Sequence, residues 1–109
     1  MKIRSGFVSN SSSASFIVGS DKTIKQVEKI LKRIVSGYNI MTGESYSEDM
    51  FDVFIAGNET VKMFADYNVD KKYVKDHIII MGNGGDNSIP YDMFDMIEGQ
   101  CQATHYHLG

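Results

Sequence analysis

Apolar and polar positions alternate in several distinct rhythms along the chain, and each rhythm predicts an element. Phe16-Ile17-Val18 is a short burst of aromatic and β-branched residues closed by Gly19, which suits a strand on a half-buried surface. The rhythm then changes. Ile24, Val27, Ile30, Leu31, Ile34 and Val35 recur at three- and four-residue steps, so residues 23–36 read as an amphipathic helix. Thr23 with Gln26 three residues on makes a capping box, and Gly37 suits the position just past the end. Residues 38–49 follow as a polar loop with a turn at Gly43.

The second half changes rhythm again. Phe51, Val53 and Ile55 alternate with Asp52 and Phe54; Val61, Met63 and Ala65 alternate with Lys62 and Phe64. Period two in both runs predicts a β-hairpin, and a three-residue Gly57-Asn58-Glu59 loop keeps Ile55 opposite Val61 and Val53 opposite Met63. Residues 67–76 are polar, with one helical turn at Lys71-Lys72-Tyr73. His77-Ile78-Ile79-Ile80-Met81 is continuously apolar, the pattern of a central strand covered on both faces. A glycine-rich loop, residues 82–87, leads to a second helix capped by Asn87 or Ser88, with Pro90 in its first turn. Its inner face is Ile89, Met93, Phe94 and Ile97, and Gly99 ends it. Residues 102–108 read as a last strand. The expected fold is a single α+β domain over 1–109: an antiparallel sheet of about four or five strands with two helices packed on one face.

Composition narrows the class. The chain has 109 residues, 42% hydrophobic and 23% charged, which is ordinary for a globular domain with a modest core. No apolar run approaches the ~20 residues that span a bilayer, and the start of the chain lacks the apolar core of a signal peptide. A single cysteine, Cys101, excludes an internal disulfide and fits a reducing compartment. The seven methionines read as core filler. Net charge is −3, but residues 1–36 carry +5 and residues 37–109 carry −8. Such a bipolar chain steers partners electrostatically, copies of itself included.

Five stretches could carry chemistry. Lys22, Lys25, Lys29 and Lys32, with Arg33 beside them, form a cationic helix face that is either solvated or a strip for phosphates or an acidic partner. No aromatic is interleaved for base stacking, so nucleic-acid binding ranks below protein binding. The strand, glycine loop and helix at residues 77–98 have the geometry that seats a phosphate at a helix N-terminus. Neither nucleotide-binding glycine spacing is present, and Asp86, Asp92 and Asp95 repel an anion, so a tight turn is the preferred reading. Cys101, His105 and His107 share one side of an extended tail and are candidate zinc ligands. The alternative buries the thiol and leaves the histidines on a solvated edge. Glu48, Asp49 and Asp52 with a histidine would suit acid–base work, but nothing in the spacing joins them. The serine run from Ser9 to Ser15 reads as a flexible linker, as ordered turn structure or as an anion site, with ordered structure preferred, and no nucleophile-elbow pattern surrounds any serine. No enzyme activity and no cofactor is expected.

Arg4-Ser5-Gly6-Phe7-Val8-Ser9-Asn10-Ser11-Ser12-Ser13, then Ser15-Phe16-Ile17, resembles the opening of many small proteins of tailed-bacteriophage and prophage genomes. Ala14 falls where the usual form continues the serine run. Asp86-Asn87-Ser88-Ile89-Pro90-Tyr91 and the closing His107-Leu108-Gly109 are similar to some of the same proteins. The resemblance spans about a third of the chain. Residues 1–15 are expected, apart from it, to be an ordered, polar, serine-rich N-terminal segment. It implies a viral origin and assigns no residue a role. The expected function is non-catalytic protein–protein interaction in the host cytoplasm or the virion, as a virion component or as an accessory factor on a host protein. Homo-oligomers are compatible with this reading, and a membrane is not. The expected contacts are the acidic 44–52 region, the second helix and the methionine-bearing surface.

Overall fold

The computed structural model describes residues 14–19, 21–82 and 89–107. Residues 1–13 of the N-terminal segment, most of the glycine-rich loop and the Asn87/Ser88 cap lie outside them. Four strands, β1 (Ala14–Val18), β2 (Phe51–Ile55), β3 (Ile78–Gly82) and β4 (Ala103–His107), form one antiparallel sheet in the order β2-β3-β1-β4. Three helices, α1 (Ile24–Thr42), α2 (Asn58–Ala65) and α3 (Tyr91–Cys101), complete the element order β1-α1-β2-α2-β3-α3-β4. β1 and β2 are both antiparallel to β3, and β3 and β4 are both antiparallel to β1. Two split βαβ units are thus interleaved. That is the ferredoxin-like arrangement with one extra helix between β2 and β3.

The expected α+β sheet with two helices on one face is present. Ala14, Phe16 and Val18 of β1 and Ile78 and Ile80 of β3 pack against Val27, Leu31, Ile34 and Val35 of α1 and Met93, Phe94, Ile97 and Cys101 of α3. The opposite face is also closed. Ile17, Ile79 and Met81 pack there with Ala56, Phe64 and Val74. Phe64 is fully buried and meets Tyr106 edge-on, with ring centroids 5.5 Å apart. β1 and β3 are therefore buried along their whole length, which explains the unbroken apolar run of residues 78–81.

Three expectations need correction. The hairpin does not form, because residues 58–65 are helix α2 rather than a second strand. A window of five residues fits period two and period 3.6 almost equally. What decides is the lower face of β1 and β3, which a helix presenting Val61 and Phe64 covers. Gly57 is the N-cap, and Glu59 in the first turn suits the helix dipole. The first helix does not end at Gly37. It runs through residues 38–42, expected as loop, to a left-handed C-cap at Gly43 (φ 77°), whose N–H donates to Asn39 O at 2.8 Å. The extra turn is held by Tyr38, which packs on the core, and by Asn39, which bonds the chain at Tyr46. The capping box at Thr23 and Gln26 is present as expected. Helix α3 has Pro90 as its N-cap rather than inside its first turn, and it passes Gly99 to a left-handed Gln102 (φ 52°). Cys101, four residues beyond Ile97 and fully buried, rewards the added turn.

Two stability predictions test these corrections. An added Cβ at Gly37 meets nothing within 4 Å, so Gly37→Ala should stabilise the protein by roughly 0.5–1 kcal/mol. Gly43→Ala, at positive φ, should destabilise it by about 1 kcal/mol. Urea unfolding that returned the opposite signs would put the helix end back at Gly37. Phe64→Ala should cost ~3–5 kcal/mol by the same measurement, whereas a Phe64 on an exposed hairpin face would cost under about 1 kcal/mol.

Candidate functional site

The phase of α1 that buries Val27, Leu31, Ile34 and Val35 turns Lys25, Lys29 and Lys32 to one flank. These three are spaced four and three residues apart, so they stack along the helix. The chain leaves α1 at Gly43 and returns beneath that flank. Asn39 fixes the return with two bonds: its Nδ2 donates to Tyr46 O at 2.8 Å, and its Oδ1 accepts from Tyr46 N at 2.9 Å. Tyr38 and Tyr46 meet edge-on at 5.8 Å. Ser47 then caps a single 3-10 turn, Glu48–Met50, by accepting from Asp49 N at 3.2 Å. This turn leads into β2.

The result is an open groove of about 780 Å³ between α1 and β2. Lys25, Lys29 and Lys32 form its helical wall together with Gln26 and Glu28. Glu48 and Asp49 form the other wall, and Leu31, Phe51 and Val53 supply apolar surface between them; Asp52 also borders the groove, with its side chain in phase with Phe54 and Met81 on the α2 face of the sheet. Among the described residues, none of the three lysines lies within 4 Å of a carboxylate. Lys25, Lys29 and Lys32 of the cationic strip and Glu48 and Asp49 of the acidic 44–52 region, read separately from the sequence, thus line one groove.

Other expected site residues fall elsewhere. Lys22 sits apart from the groove, 3.7 Å from Asp21, with its side chain 17% exposed. Arg33 is exposed outside the groove. Cys101 is packed in the core against α1 and the sheet. Burial pushes its thiol pKa up from the ordinary 9.0, and the Lys22 ammonium pulls it back by less. A protonated, enclosed thiol is a poor metal ligand. His105 stacks on Phe16 (centroids 4.7 Å) and meets Phe94 at 5.1 Å, with Nδ1 3.9 Å from Glu98 Oε1. His107 stands opposite Ala14 at the end of β4. Among the described residues no three His, Cys, Asp or Glu side chains are grouped to hold a metal. No described histidine joins the groove carboxylates: His105 lies on the far edge strand, and the half-buried His77 sits with its ring by Lys75 O at 3.1 Å. Asp92 and Asp95 are exposed on α3, and the loop before them lies outside the described residues. Ser15 is buried, and its hydroxyl has no hydrogen-bond partner among the described residues. Ile40, Met41, Ile55, Tyr67 and Tyr73 are the exposed large apolar side chains among the described residues. No described helix is long and apolar enough to cross a membrane.

The buried thiol makes a pH prediction. A raised folded-state pKa favours the protonated form, so this contribution to stability is complete below the unfolded thiol's pKa. It is lost as pH rises through the folded value. The unfolding midpoint of the protein should therefore fall above about pH 9 more steeply than that of Cys101→Ala. Equal slopes for the two proteins, or rapid reaction of the native thiol with an aromatic disulfide at neutral pH, would contradict a buried Cys101.

No protein family, curated protein or solved structure matches the chain, so the chemistry of its own groove carries the functional reading.

Proposed function

We propose that the protein works non-catalytically by binding another protein. In the phage setting that residues 4–17 imply by resemblance, it serves as a virion component or as an accessory factor on a host protein. The observation that carries this reading is the groove between α1 and β2, which sets Lys25, Lys29 and Lys32 against Glu48 and Asp49 around Leu31, Phe51 and Val53. A protein surface meets both signs of charge and an apolar strip at once. A nucleic-acid backbone carries one sign only, and the acidic wall repels it. The sheet gives no help to a nucleic acid either. In RNA-binding domains of this architecture, aromatics on the open sheet face stack bases. Here the equivalent face of β1 and β3 holds Ser15, Ile17, Ile79 and Met81 beneath Phe64 and Val74.

Untagged protein, purified gently from cells that produce it with its genomic neighbours, should appear in a native mass spectrum bound to protein, either another chain or its own copies. The variant Glu48→Lys/Asp49→Lys should lose most of that complex. A lone chain under every gentle condition would sink the reading. So would a nucleic-acid complex whose affinity falls steeply with salt and with Lys29→Glu/Lys32→Glu.

A further inference from the structure

Among the described residues β2 is an edge strand, and its Phe51, Asp52 and Val53 line the groove. The Ala56 N–H donates to His77 O at 2.9 Å, which continues the β2–β3 register one step past Ile55 and Ile78. In an antiparallel ladder alternate residues turn both backbone groups to the same neighbour. Asp52 and Phe54 therefore share the inward phase of Ala56, and Phe51, Val53 and Ile55 turn outward. The Phe51 N–H agrees: it donates to Glu48 O, away from β3. Among the described residues nothing takes the N–H or C=O of Val53 or Ile55. The usual protections of an edge are sparse here. The chain's one proline is Pro90, Asp52 is the only charge in the strand, and the Ile55 side chain is 48% exposed.

Charge along this edge is ordered. Val18, Ile78 and Ile55 line up at one end of the sheet, and Ala14, Gly82 and Phe51 at the other. Helix α1 starts just after Val18, so Lys25 lies toward the Ile55 end. Glu48 and Asp49 immediately precede Phe51 and lie at the opposite end. Lys29 and Lys32 follow about 6 and 10 Å farther along α1 toward the Phe51 end. A two-fold axis through the middle of β2 brings the Lys25 end of one copy onto the Glu48–Asp49 end of the other, twice over. That match is what an isologous interface requires.

We propose that β2 is the seam of a homodimer. It pairs antiparallel with β2 of a second copy about a two-fold axis at Val53 and joins two four-stranded sheets into one of eight strands. The proposal rests on the protein-binding reading above and names the partner as the chain itself. At the axis Val53 exchanges both backbone bonds with its own copy. On either side the Ile55 N–H reaches the C=O of the other copy's Phe51, and the exposed Ile55 side chain gains an apolar neighbour. Lys25 and Lys29 of each copy face Glu48 and Asp49 of the other.

The test measures the self-association of the full-length chain by sedimentation, together with amide exchange at Val53 and Ile55. A dimer is expected, with both amides protected more as concentration rises. Lys25→Glu/Lys29→Glu should raise the dissociation constant about tenfold or more, and Glu48→Lys/Asp49→Lys should do the same. The two pairs combined in one chain should restore it to within about threefold, because the reversed charges match again. Ile55→Pro removes only an outward N–H, so it should abolish the dimer while leaving the monomer's unfolding cooperative. A monomer at all concentrations overturns the proposal, as does a combined variant that fails to recover. Amide protection that is independent of concentration assigns the edge to other residues of the same chain and overturns it too. A chain that is monomeric alone yet still captures a different protein through the groove overturns the dimer but leaves the protein-binding reading intact.

Discussion

Two adjacent strands buried on both faces set the conditions for the rest of this structure. All ten residues of β1 and β3 are buried, and they pair with each other at the centre of the sheet. Apolar strands of this kind gain stability only when both faces are covered, since each exposed face forfeits about 25 cal/mol for every Å² left in water. One face takes the two long helices of the interleaved βαβ units. The other has no helix in the basic arrangement and would lie open. Helix α2, only eight residues long, closes it with Phe64 as the anchor, and the segment carrying Val69 and Val74 extends the cover.

That cover decides where function can reside. In a ferredoxin-like domain the open sheet face is a natural platform for a ligand, yet fold alone assigns no activity. With both faces closed, the remaining surfaces are the sheet edges and the outer flanks of the helices. β4 forms one edge, where His105 is held between Phe16 and Phe94 as part of the packing. β2 forms the other, beside a helix flank whose cations find no carboxylate within 4 Å among the described residues. Among the described residues the groove is thus the place where the outward backbone of β2, apolar surface and lysines without a carboxylate within 4 Å come together.

Much of the fold is legible in residue patterns, and the errors share one cause. The central strand at residues 78–82, the first strand, the start of α1 and the inner face of α3 each carry a signal longer than the ambiguity around it. Helix α2 does not: Val61-Lys62-Met63-Phe64-Ala65 suits either period, and the sheet face that selects the helix is assembled from residues far away in sequence. The end of α1 is hidden for a related reason. Gly37 looks like a stop locally, but the Asn39–Tyr46 bonds that carry the helix onward need a return segment that no local window contains. Of the site, both charged walls are visible in the sequence as separate stretches. Their meeting across β2 is not, because that requires knowing which strand is at the edge. Cys101, His105 and His107 form a plausible ligand set by spacing alone. Spacing is silent on whether a thiol is enclosed, and enclosure raises its pKa against metal binding.

The opposed walls follow from topology acting on an uneven charge distribution. The first 36 residues carry +5 and the remainder −8. In a βαβ unit the helix must cross back over the sheet before the next strand begins, so its flank and the segment leading into that strand become neighbours. A chain with cations on the helix and carboxylates just after it will then place the two signs across a gap. Had the return been longer, the charges would be separated by solvent and screened beyond about 8–10 Å. Had it been shorter, they would neutralise each other as internal ion pairs. The Asn39–Tyr46 clamp fixes the return, so Glu48 and Asp49 line the same groove as Lys25, Lys29 and Lys32 without an ion pair within 4 Å to any of the three lysines among the described residues.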